Sequence, residues 1–98
     1  MACGAAGQEM KATEEVQKIV DEVKSQAEAK AGTTFNEFKA ISYRVQVVAG
    51  QNYFVKVKVG DSSYIHLRIY QTLPHDGSRL ELTAIKTGLS EGDSLDYF

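Results

Sequence analysis

Cys3, His66 and His75 are the residues in this chain whose types could support nucleophilic catalysis, as a thiol paired with an imidazole. That chemistry needs the sulfur held by a rigid scaffold beside a positioned histidine. Cys3 stands instead among Ala2, Gly4, Ala5 and Ala6, which offer no such support. His66 falls on the polar side of an alternating run and reads as a solvated strand residue; His75 falls in a turn. No cysteine, histidine or carboxylate spacing matches a zinc or calcium site. Glu14, Glu15, Asp21 and Glu22 lie in a helical pattern and read as ordinary surface charge. The glycines are isolated turn residues rather than a phosphate-binding loop. The chain is therefore expected to be no enzyme and to carry no cofactor and no metal. What remains is the chemistry of contact, and the segments that offer it depend on how the chain folds.

Residues 1–12 are small and polar without periodicity, which predicts a flexible or extended arm. Thr13 is a suitable helix cap, followed by Glu14 and Glu15 at the positive end of the helix dipole. Val16, Ile19, Val20, Val23 and Ala27 then recur as one apolar stripe. Lys30 and Gly32 mark the end of a single helix of about 18 residues. Beyond Gly32 the period changes to two. Ile41, Tyr43, Val45 and Val47 alternate with Ser42, Arg44 and Gln46. Runs at 53–59 and 65–70 and a shorter one at 80–83 follow the same rule, each with one face buried and one wet. Turn residues separate them at 49–52, 60–63 and 73–79. Tyr97 and Phe98 close the chain with aromatic rings able to pack back on the core. The expectation is an α+β fold, one 98-residue domain with its N-terminal helix laid across an antiparallel β-sheet meander.

In a meander, alternate turns share an end of the sheet. The 49–52 and 73–79 turns then lie together, and a helix antiparallel to the next strand brings the arm beside them. All three segments present apolar residues where loops are usually polar. The first offers Val48, Ala49 and Gly50, with Val47 expected on the core face and Val48 pointing outward. The second opens on Leu73 and Pro74; the arm presents Ala2, Cys3, Gly4, Ala5 and Ala6. An uncharged convex ridge suits insertion into a partner's groove and makes a poor substrate pocket.

Composition narrows the partner. Eleven basic residues against thirteen acidic ones leave a net charge of −2, too little positive charge to hold a nucleic acid backbone. The apolar runs are far shorter than the roughly 20 residues of a membrane span, so no membrane partner is expected. One cysteine permits no internal disulfide, and the start of the chain does not read as a secretory signal. A cytoplasmic protein is expected, with a nuclear pool as the alternative.

Gln46-Val47-Val48-Ala49-Gly50 matches the QVVAG hairpin motif of the cystatins. The whole chain resembles their small intracellular branch, the stefins. The likeness includes the Met-x-Cys-Gly start, Asn52-Tyr53-Phe54 after the motif, Leu67-Arg68, Leu73-Pro74-His75 and the terminal Tyr-Phe. The resemblance implies a reversible, tight-binding competitive inhibitor of papain-like cysteine proteases, lysosomal cathepsins among them. It implies that Gly4 and its neighbours lie along the non-primed subsites and that Gln46, Val47, Val48, Ala49 and Gly50 enter the cleft. Leu73, Pro74 and His75 would cover the primed side, and Cys3 would touch a subsite. Stefins often carry a proline soon after the N-terminal glycine; here the arm reads Gly4-Ala5-Ala6-Gly7. A looser arm loses more entropy on docking. The expected assembly is a monomer, with a dimer swapped through the first hairpin or linked through Cys3 as alternatives. A non-inhibitory binding module on the same scaffold is the competing function, because fold does not fix function.

Overall fold

Thr13 starts the helical region as its sequence position predicts: its hydroxyl accepts from the Val16 amide at 3.2 Å. In the computed structural model, which describes residues 7–96 and 98, that region comprises α1 (Glu14–Glu22) and α2 (Lys24–Ala31). The expected single helix is thus interrupted at Val23, whose φ and ψ are −101° and 8°. Its amide bonds to Val20 O at 3.2 Å, an i−3 contact that tightens the turn locally. Gly32 ends α2 in the left-handed region at φ 74°, its amide on Glu28 O at 2.9 Å.

Five antiparallel strands follow the sequence order: β1 (Met10–Lys11), β2 (Lys39–Val48), β3 (Gly50–Lys58), β4 (Tyr64–Gln71) and β5 (Leu80–Leu89). The apolar stripe of the helices is buried in full against Val55, Val57, Ile65, Leu67, Ile69 and Leu82. Each such side chain contributes about 1.5–3 kcal/mol when fully buried. Two glutamines fasten helix to sheet. Gln17 accepts from Ala40 N at 2.8 Å and donates to Phe38 O at 3.0 Å, beside the β2 bulge. Gln26 accepts from Leu82 N at 3.0 Å, tying α2 to β5.

The strands do not have one wet face. Phe54, Lys56 and His66, on the side away from the helices, are 2%, 7% and 2% exposed. The segment after β5 covers them. Leu95 is buried, and Phe98 meets Phe54 edge to face at 6.0 Å. Long cationic side chains hold its main chain: Arg44 Nη1 donates to Leu95 O at 2.9 Å and Arg68 Nη1 to Phe98 O at 2.9 Å. Lys56 Nζ donates to Glu91 O at 2.7 Å. Of the two closing aromatics, Phe98 packs on this second face and Tyr97 lies outside the described residues.

His66 is therefore buried rather than solvated, and its Nε2 has no hydrogen-bond partner among the described residues. Burial first, then the charges of Lys56 and Lys86, pull its pKa below 6.5, with Asp93 and Glu9 opposing. A base depressed in the folded state stays neutral there while the unfolded chain takes up protons. Stability contributed in this way is complete above about 6.5 and declines as pH falls below it. Asp93, held low chiefly by the Ser90 amide, loses its contribution only as pH falls through and below 3.8. The melting temperature is accordingly expected to drop between pH 7.5 and pH 5, and to drop less in a His66→Gln variant. Equal drops in thermal unfolding scans would exclude His66 as the origin.

Candidate functional site

The β2–β3 connection is a single residue. Val48 pairs with Gly50, leaving Ala49 alone at the tip. Such closure needs an unusual backbone, and Gly50 supplies it with φ 103°. A side chain there would also collide with β4, because its Cβ would lie 2.3 Å from Gln71 O. Inside the motif, Asn52 Nδ2 donates to Gln46 Oε1 at 2.9 Å, joining the two strands below the tip.

Alternation correctly places Val47 on the helix-side face, along the row of Tyr43 and Val45, but that face is bare at this level. Val47 is 56% exposed instead of belonging to the core. The sheet extends past the helices here. Glu15, at the start of α1, lies near enough to Tyr53 to help raise its pKa after burial, and Tyr53 pairs with Val45, two residues before Val47. Val48 is half-buried, and Ala49 is exposed.

The second loop runs from β4 to β5. Thr72 N donates to Arg79 O at 2.9 Å, and Arg79 N donates to Thr72 Oγ1 at 2.8 Å, closing its base. Leu73 is half-buried and precedes a 3₁₀ turn at Pro74–Asp76, a position where proline's missing N–H costs nothing. Pro74 and His75 are exposed, and His75 Nε2 stands 3.8 Å from Asp76 Oδ2.

Sequence reasoning correctly brings these two turns to one end of the sheet. Between them lies an open groove of about 360 Å³, lined by Val47, Val48, Gly50, Leu73 and Pro74 among other residues, all uncharged. The ridge inferred from sequence therefore carries a shallow hollow between its two crests. Gly7 lies along β2: its amide donates to Val45 O at 2.7 Å, and Arg44 Nε donates to its carbonyl at 2.7 Å. With Met10 opposite Tyr43, the chain before β1 runs along β2 toward Gln46. Gly4 and Cys3 lie outside the described residues.

Sequence reasoning missed Tyr70, whose hydroxyl donates to the Ala49 carbonyl at the tip. It also missed Gln71, whose carbonyl abuts Gly50. The only signal for either was strand register, since a meander places the end of β4 beside the start of β3. Among the described residues, no three histidine, cysteine, aspartate or glutamate side chains converge as metal ligands. No helix among them is long and apolar enough to cross a membrane.

Comparison with known proteins shows what the chain is similar to. The cystatin domain family model matches residues 5–88. Cystatin-B of Homo sapiens is 48% identical over 98 residues, covering all of both chains. Cystatin-B of Sus scrofa and of Mus musculus are each 47% identical over the same full lengths.

Proposed function

The chain belongs to the cystatin family, and from that premise we propose that it inhibits papain-like cysteine proteases, lysosomal cathepsins among them, reversibly and competitively. A cystatin is not an enzyme, and its action is occupancy of another enzyme's cleft. The observation that supports the reading is the meeting of two apolar turn segments at one end of the sheet, the Val48-Ala49-Gly50 tip and the Leu73-Pro74 start of the second loop, across one uncharged groove.

Inhibition follows from filling the cleft without offering a bond for attack. Gly4 would let the arm approach the enzyme closely and turn away before a carbonyl reaches the nucleophile. Gln46, Val47, Val48, Ala49 and Gly50 would enter beside the catalytic cysteine, displacing water without burying a charge that needs a partner. Leu73, Pro74 and His75 would cover the primed side, and Cys3 would contact a subsite. Both hairpins are already held by sheet hydrogen bonds, so little order is lost there on docking. A nanomolar complex corresponds to about −12 kcal/mol, within reach of a standard interface of about 1,600 Å². We place this action in the cytoplasm, by a monomer, in keeping with the single cysteine.

Titration against active-site-counted papain tests the reading. Activity is expected to fall linearly to zero at a 1:1 ratio. Deleting residues 1–4 is expected to speed dissociation while changing association little, because the arm adds contacts after the hairpins dock. No loss of activity at micromolar protein would replace the inhibitor with a non-inhibitory binding module. A deletion that only slows association would remove the arm from the bound contacts.

A further inference from the structure

We propose that Tyr70 is a positioning residue for inhibition, fixing the first hairpin's tip against β4 through the Ala49 carbonyl. This inference rests on the inhibitor reading above and adds a residue outside the three contact segments.

Ala49 is the one residue between β2 and β3, beyond the last paired positions Val48 and Gly50. Its carbonyl therefore lies outside the β2–β3 ladder, and the Tyr70 hydroxyl satisfies it from another strand. The ring crosses the tip closely. A Cβ built on Gly50 would stand 3.0 Å from Tyr70 Oη and 3.1 Å from Tyr70 Cε1. The missing side chain at Gly50 and the phenol at Tyr70 are thus complementary parts of one contact.

Position along the chain gives the contact its consequence. Tyr70 precedes Gln71, the last residue of β4, and the next residue, Thr72, closes the base of the second loop through Arg79. Tying Ala49 to Tyr70 therefore ties one binding hairpin to the foot of the other. Nearby, Tyr53 Oη lies 2.8 Å from Gln51 Oε1 and 3.4 Å from Gln71 Oε1, linking the same two strands on their helix-side face. A one-residue tip held only by its own two strands would keep rocking freedom and lose it on docking. Held at its carbonyl, it meets the cleft already in place. Tyr70 acts through Ala49, not by touching the enzyme.

Tyr70→Phe keeps the ring and removes the donor. In the free protein, the ¹³C shift of the Ala49 carbonyl is expected to move, with faster amide exchange at residues 48–50 and unchanged exchange in the helices. Against active-site-counted papain, the inhibition constant is expected to rise about threefold to tenfold, the range of one neutral hydrogen bond. The melting temperature is expected to fall by about 3–10 °C, the shift that a loss of this size makes in a domain of 98 residues, leaving the variant folded at the assay temperature. An unmoved Ala49 carbonyl would overturn the contact. A moved carbonyl with an unchanged inhibition constant would overturn the positioning role. Failure of the parent protein to inhibit papain would instead overturn the inhibitor reading, while the carbonyl shift would still report on the contact.

Discussion

Alanine at position 50 is expected to weaken papain inhibition at least a hundredfold and to lower folding stability by about 2–4 kcal/mol. Two effects combine there. Gly50 has φ 103°, where a residue with a Cβ is strained by about 1–3 kcal/mol. The new Cβ would also stand 2.3 Å from Gln71 O, far inside the closest non-bonded approach of a Cβ to an oxygen, and the obstacle is backbone. The hairpin must then lift from β4, taking Ala49 off the Tyr70 hydroxyl. Gly77→Ala separates strain from collision. Gly77 has φ 92°, but the nearest atom to its added Cβ is the mobile Arg79 Cγ at 3.8 Å. That variant is expected to lose stability through strain alone and to retain more inhibition. Urea unfolding and inhibition constants for both variants provide the check. Equal losses of inhibition at the two sites would refute the collision with β4 as the cause.

Val48→Asp is expected to weaken inhibition by at least thirtyfold while leaving the fold intact. Val48 is half-buried at the edge of the groove, so in the free protein a carboxylate there keeps access to water. In a protease cleft the same carboxylate would lose its water with no cation from the uncharged groove to meet it. Leaving one charge buried and unpaired costs about 2–5 kcal/mol, a factor of thirty to several thousand. Far-UV circular dichroism and melting temperature should match the parent closely. An unchanged inhibition constant would take the hairpin tip out of the interface altogether.

Local periodicity made much of this molecule legible. The stripe from Val16 to Ala27 announces a helix and names its buried face, because neighbours three and four apart share a side whatever lies opposite. The same rule did not reveal the interruption at Val23, which leaves every stripe residue still buried. Alternation located β2, β3 and β4 within a few residues, and put Val47 on the correct face. It erred about burial because periodicity says which way a side chain points but not how far the opposing helix extends. The first strand, Met10–Lys11, has too few residues to show a period and exists through pairing with Tyr43 and Ser42.

The candidate site divides along the same line. Glycine, proline and uncharged tips mark 48–50 and 73–74 as turns of unusual composition, and meander topology alone sends them to one edge. Their mutual fixation depends on Tyr70 and Ala49, 21 residues apart, and on Gln71 meeting Gly50. No short-range pattern encodes either contact.

The sequence by itself determined the helix face, the order of β2 to β5 and the two apolar turn segments, since each follows from residues near one another in the chain. Only the tertiary structure decided that the middle of the sheet's second face is covered. Arg44 reaches Leu95 across 51 positions and Arg68 reaches Phe98 across 30. In a strand, those arginines and His66 read as a polar, solvated surface. His66 becomes buried and the arginines half-buried because a distant segment lies over them, and burial is a property of what covers a residue rather than of the residue's own type.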